Sequence, residues 1–196
     1  MMAMPVPRDE GDLKAAGLVL PTTGPWTVDD LARLPDDGLQ YELFDGMLVV
    51  SPAPLPAHQS AVSELHVLLH AGCPPDLQVF VAPLNYQPDR FTSAQPDLLV
   101  AQREHGEEHD VRRPLQLAVE VLSPSTRRKD LTVKRETYAR TGVAAYWIVD
   151  PDKESIRVLE LTDGAYEQVG EVTGDERLTV EHPFPVTLHP ASLLRS

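Results

Sequence analysis

Apolar residues along this chain gather into short, nearly unbroken runs, and helical spacing appears in only a few places. Leu77 to Ala82, Leu98 to Ala101, Leu117 to Leu122 and Ala144 to Val149 are runs of the kind that suits strands covered on both faces. Gln40 to Ser51 splits around Asp45-Gly46, a dipeptide favoured in tight two-residue turns, and predicts a hairpin. Ser155 to Leu161 and Ala165 to Val172 predict a second hairpin around Thr162-Asp163-Gly164. Leu84 to Gln87 reads as a bent or edge strand past Pro83, and Pro88 to Gln95 as a loop. Arg177 to Val180 and Phe184 to Leu188 are short extended pieces. Thr27 to Leu34 has cap chemistry and early acids for a short helix. Ala57 to His70 repeats its apolar positions at His58, Val62, Leu65 and Leu69, one helical face. After Leu122, Ser123-Pro124-Ser125 offers a helix start, with Thr141-Gly142 as its end. The order of hairpin, helix, strands, helix and strands predicts a mixed α/β fold, with a central mixed sheet flanked by helices rather than regular βαβ repetition.

Residues 1–25 are rich in Pro, Gly and small residues and read as a tail, leaving 26–196 as a single domain. The composition, 42% hydrophobic and 24% charged, is that of a globular chain. Cys73 is the only cysteine, so no disulfide forms within the chain, and a reducing compartment, by default the cytoplasm, is expected. No apolar run approaches the roughly 18 residues of a membrane span, and the charged start is a poor secretion signal. The net charge of −13 excludes broad, nonspecific attraction to nucleic acid. That charge is uneven, because Arg112 to Arg140 holds eight basic residues against three acids. A solvated helix face would explain this island as well as a site would.

The chemistry converges on that island. Glu120 interrupts an apolar strand, where a carboxylate is costly to bury unless paired or holding a metal. On the following helix Arg127, Leu131, Lys134 and Tyr138 share a face, which turns Lys134 toward the sheet. Asp97 opens another short apolar strand, a position that a turn residue also fills. Two carboxylates at a sheet edge suit Mg²⁺ or Mn²⁺, and a nearby lysine would complete the parts for metal-assisted hydrolysis of a phosphodiester. Glu42, between Tyr41 and Leu43, is equally explained as a solvent-facing acid, and His58 as a satisfied core histidine. The pairs His66/His70 and His105/His109 lack a metalloprotease pattern and do not predict a metal site.

The runs YELFDGMLVV, PLPAHQ, QPDLLV and LAVEVLSPSTRRKDLTVKRETYARTGVAAYWIVDP resemble the Uma2 family of restriction-endonuclease-like proteins, within the PD-(D/E)xK nuclease superfamily. The resemblance spans about Gln40 to Leu161. It implies a restriction-endonuclease-like fold with an added N-terminal hairpin and C-terminal strands. Asp97 resembles the aspartate of the PD motif and Glu120 the second acid; both would bind the metal, with the Val121 carbonyl as a third ligand. Leu122 stands where the motif has its lysine, and Lys134 matches a lysine moved to the helix. Glu42 resembles the additional acid of the first hairpin, and His58 the histidine at a helix start, an accessory position of undefined role. Arg127, Arg128 and Lys129 would contact phosphates. The family implies a Mg²⁺- or Mn²⁺-dependent endonuclease acting on nucleic acid, DNA first, as a homodimer. An RNA-cleaving enzyme of the same fold, or a non-catalytic binding module that keeps the fold, are the competing readings.

Overall fold

The computed structural model describes residues 24–51, 54–103, 110–123, 127 and 130–194. The predicted tail lies almost wholly outside them, as does the His105/His109 loop. A one-turn helix α1 (Val28–Leu31) opens the chain. The Asp30 carboxylate caps it by accepting from the Thr27 amide (3.0 Å) and hydroxyl (2.6 Å). Strands β1 (Gln40–Phe44) and β2 (Met47–Ser51) form the first hairpin. Asp45 (φ 50°) and Gly46 (φ 77°) take the left-handed conformations its tight turn requires. Helix α2 (Pro56–Gly72) follows, with Pro at its first position, where a missing N–H costs nothing.

Strand β3 (Leu77–Val81) precedes β4 (Tyr86–Asp89), β5 (Thr92–Ala94), β6 (Leu98–Gln102) and β7 (Leu117–Val121). The stretch 88–95, expected as a loop, therefore holds strand residues. Asp89 makes the difference: its carboxylate accepts from the Phe91 amide (2.8 Å) and the Thr92 hydroxyl (3.1 Å), folding the backbone into a tight turn. β5 then pairs with β4 and, at Leu43↔Ser93, with β1.

The chain leaves β7 for a π-helical turn over Asp130–Lys134 that runs into α3 (Arg135–Arg140). Gly142 (φ 79°) closes α3, as expected. Pro124 and Ser125, the expected start of this helix, lie outside the described residues. Strands β8 (Ala145–Asp150), β9 (Ser155–Thr162) and β10 (Ala165–Thr173) come next, then β11 (Leu178–Val180), β12 (Val186–Leu188) and a final turn α4 (Pro190–Leu194).

The central sheet has six strands in the order β10-β9-β8-β7-β6-β3. Only β7 and β8 are parallel, which is why a helical crossover joins them. The N-terminal hairpin does not stand alone: it belongs to a second, four-stranded sheet, β2-β1-β5-β4. Strands β11 and β12 pair separately.

The period of two along β7 and β8 divides the interior. Leu117, Val119, Val121, Ala145, Trp147 and Val149 pack with Leu65 and Leu69 of α2 in one apolar cluster. Ala118, Leu122, Tyr146 and Ile148 pack with Phe44, Tyr86 and Tyr138 in another. Leu65 and Leu69 are fully buried. Each contributes about 1.5–3 kcal/mol relative to exposure, which fixes α2 on its face of the sheet. Among the described residues no helix is long and apolar enough to cross a membrane.

Candidate active site

Glu120 is on the face of β7 that turns away from α2, in the centre of the sheet, opposite Ile148 of β8. It is 2% exposed. An ion there loses several kcal/mol of hydration, so the fold must supply partners. It supplies two, both from the π turn and α3. The Lys134 Nζ lies 2.8 Å from Glu120 Oε2, and the Tyr138 hydroxyl donates to Oε1 at 2.7 Å. The predicted inward face of this helix is therefore real, and its lysine reaches the acid.

Lys134 does more than pair with Glu120. Its Nζ is 3.1 Å from Glu42 Oε1 and 3.7 Å from Asp130 Oδ1. Glu42 is not the solvent-facing acid that strand alternation allows; it is completely buried. The Gln95 amide donates to Glu42 Oε1 (3.0 Å), and the β1–β5 pairing brings that amide into place. The second sheet thus delivers one acid to a lysine carried by the crossover. Asp130 reaches the cluster because the Tyr146 hydroxyl donates to its carbonyl (2.8 Å), pinning the start of the π turn.

Electrostatics follow from burial. The Glu120 carboxyl is held well above its ordinary 4.5 by desolvation, against which Lys134 pulls down while Asp97, Asp130 and Glu42 push further up. For Lys134, burial alone would favour the neutral amine. Glu120, Glu42, Asp130 and Asp97 together reverse that and raise it well above 10.5, so it stands as an ammonium. Burial, with Glu120 adding to it, raises the Tyr138 phenol well above 10.0, so it keeps the proton it donates.

Asp97 stands at the open edge of this knot, its side chain 18% exposed against 3% for Glu120. The Val121 amide donates to Asp97 Oδ2 at 2.7 Å, and His58 Nε2 lies 3.1 Å from the same oxygen. His58 is therefore tied to Asp97 rather than to the apolar core. Burial works against charge on this imidazole, but the hydrogen bond and charge of Asp97, with help from the Val121 backbone, raise it above 6.5. Arg127 makes a two-pronged pair with Asp150 (2.7 and 2.8 Å) and a weaker contact with Asp152, fastening the crossover to the end of β8. Arg128 and Lys129 lie outside the described residues.

The site thus joins Glu42, Glu120 and Lys134 directly, with Asp97 and His58 linked to it through the Val121 backbone. Asp130 and Tyr138 complete it, and neither stands out in the strand-by-strand pattern. The signal was the spacing: Asp130, Lys134 and Tyr138 recur every four residues on a segment already turned inward.

Among the described residues no three acidic, histidine or cysteine side chains converge in ligating geometry, since Lys134 fills the middle of the acids. The donor set nevertheless fits a hard divalent cation. Glu42, Glu120, Asp130 and Asp97 supply carboxylate oxygens, the donor type such a cation takes. Each ionised carboxylate oxygen can accept twice, so Glu120 retains acceptor capacity after serving Tyr138 and Lys134.

A mixed sheet with one parallel pair, a helical crossover carrying the lysine and two acids at adjacent strands define a restriction-endonuclease-like fold. A crystal structure described as a "putative nuclease" of the DUF820 group from Anabaena variabilis superposes with a TM-score of 0.70 at 21% identity, covering 87% of this chain and 98% of that one. The family model for Uma2, described as "Putative restriction endonuclease", matches residues 28–193, and the chain belongs to that family. No curated protein matches it.

Proposed function

We propose that the protein is a metal-dependent endonuclease that hydrolyses phosphodiester bonds in DNA. The observation that carries this reading is the Lys134 ammonium, buried among Glu120, Glu42 and Asp130 and one step from the more open Asp97. That arrangement collects more carboxylates than a structural ion pair needs, and Asp97 beside it reaches solvent.

Asp97, Glu120 and the Val121 carbonyl would hold Mg²⁺ or Mn²⁺. Such an ion, when bound, acidifies a coordinated water and polarises the phosphoryl oxygens. Lys134 stands as an ammonium among Glu120, Glu42 and Asp130, so it has no lone pair with which to take a proton. It acts instead as a fixed positive charge that steadies negative charge developing at the phosphoryl group. Tyr138 orients Glu120, and the Gln95 amide orients Glu42. The Val121 amide and His58 fix Asp97 on the open side. Arg127, although engaged with Asp150, keeps N–H donors for a phosphate of the substrate strand, a role shared in this reading by Arg128 and Lys129. The acidic remainder of the chain repels nucleic acid and keeps binding weak, while the phosphate contacts of the basic segment are expected to weaken with salt. In this reading the enzyme works in the cytoplasm as a homodimer, which sedimentation checks directly.

Cleavage of supercoiled, linear and single-stranded DNA and of RNA, with Mg²⁺, Mn²⁺ or EDTA, is the test. Asp97→Asn and Glu120→Gln are expected to abolish cleavage, and Lys134→Ala to slow it by about 10²–10³-fold. Cleavage untouched by these substitutions would sink the assignment. Exclusive cleavage of RNA would change the substrate but not the site. No cleavage, together with stable capture of a protein, would favour a binding module that keeps the fold.

A further inference from the structure

Beside Asp97, on the side away from Lys134, a cleft of about 280 Å³ opens between α2 and the end of β3. One wall is the α2 face formed by Gln59, Val62, Ser63, His66 and Val67; the other is Val81 and Ala82 of the sheet edge. The Ala82 amide donates to the Asp97 carbonyl at 3.1 Å, so this wall is tied to the backbone of the proposed metal ligand. Three properties make the cleft unlike ordinary surface. Val67 (64% exposed) and Val81 (42% exposed) leave two large apolar side chains facing solvent at its rim. The His66 ring stacks on His70 at 5.7 Å with 24° between planes, extending a flat aromatic surface along the helix. The buried His66 Nδ1 has no hydrogen-bond partner among the described residues, so no bond through that atom pins the ring.

We propose that this cleft takes one unpaired nucleobase of the substrate strand, next to the phosphate that a cation at Asp97 would hold. Its volume of about 280 Å³ is ample for a single purine. Apolar side chains and an imidazole face suit the two faces of a base. The Gln59 amide, able both to donate and to accept, and the Ser63 hydroxyl oxygen, an acceptor while its proton goes to the Gln59 carbonyl (2.9 Å), suit its polar edge. A base inside a duplex is stacked and paired on all sides, so entry to a lateral cleft requires a single-stranded, frayed or extruded nucleotide. The inference rests on the nuclease reading and adds to it a preference for unpaired substrate with one base position sensed beside the cut.

Two measurements on the full-length protein test it. In the first, single-stranded oligonucleotides carrying one abasic position at successive sites are cleaved in Mg²⁺. Abasic replacement at one fixed position relative to the cut is expected to lower kcat/KM about tenfold or more. Ser63→Trp, which fills the cleft from an exposed helix position, is expected to cause a similar loss on intact strands and to abolish sensitivity to the abasic site. His66→Ala should do so more weakly, and circular dichroism melting should leave both variants folded. In the second, binding of 2-aminopurine-labelled strands is followed in EDTA, where the wild type should unstack the probe and Ser63→Trp should not. Cleavage indifferent to every abasic position and to Ser63→Trp overturns this inference alone. A base-dependent 2-aminopurine signal without cleavage of any nucleic acid keeps the cleft and overturns the nuclease reading. Neither signal overturns both.

Discussion

The two faces of strands β7 and β8 are built from alternating residues of the same ten or so positions, yet they solve burial in opposite ways. Toward α2 the sheet presents Leu117, Val119, Val121, Trp147 and Val149 and packs dry. Toward α3 and the second sheet it presents Ala118 and Tyr146 around a buried acid, and hydroxyls and charges take up the space. The first face is held by area removed from water, a sum of many small terms that tolerates the loss of one. The second is held by a few mutually dependent partners, where removing one strands the others.

Lys134→Ala is expected to produce the largest effect on stability. Taking one cation from among Glu42, Glu120 and Asp130 should cost about 3–5 kcal/mol, read as a shift in urea midpoint. Adding Glu120→Gln to it should recover part of that loss, and strict additivity of the two would show that the acids and the lysine are not one unit. On the apolar face, Leu65→Ala is expected to cost about 2–5 kcal/mol through transfer and cavity terms. Catalysis per folded molecule should be unchanged, so a collapse of activity at temperatures where the protein stays folded would contradict the division of labour. Tyr138→Phe removes one hydrogen bond to a charged oxygen and should cost about 1.5–3 kcal/mol, with a drop in cleavage as Glu120 loses its orientation.

The smallest effect should lie at the boundary between the faces, in the His58–Asp97 pair. His58 has a folded pKa raised above 6.5, so its contribution to stability is full below that value and is lost as pH rises through the higher folded pKa. In EDTA, unfolding free energy should therefore fall with rising pH across the region above 6.5, and His58→Gln should flatten that slope. An unchanged slope in the variant would remove the pair as its source.

The sequence made the strands and the inward helix face readable because both rest on local periodicity: apolar runs for β6 to β8, and the stripe through Leu131, Lys134 and Tyr138. Glu120 stood out for the same reason, as a charge inside such a run. Glu42 did not, because its burial depends on the second sheet, and that sheet depends on β5. The three residues of β5 lie within a polar, proline-flanked stretch whose hairpin comes from the Asp89 side chain rather than from any alternation. Asp130 carried only its four-residue spacing to Lys134; the π turn that brings it into the cluster is fastened from outside, by Tyr146. The order of Asp97 and Glu120 on successive strands was legible, whereas the meeting of Glu120 with Lys134, and of Asp97 with the Val121 amide, is a tertiary outcome. The cleft beside Asp97 left no mark in the sequence, since α2 and the β3 edge contribute to it from separate segments.

Because Glu42 comes from the first hairpin and Lys134 from the crossover between β7 and β8, the buried charge cluster comes into being only when two distant parts of the chain close on one another. A chain folded only as far as β7 would hold Glu42 and Glu120 without the ammonium they share. Until the crossover is in place those acids lack their countercharge, so closing the crossover and forming the centre of the molecule are one event.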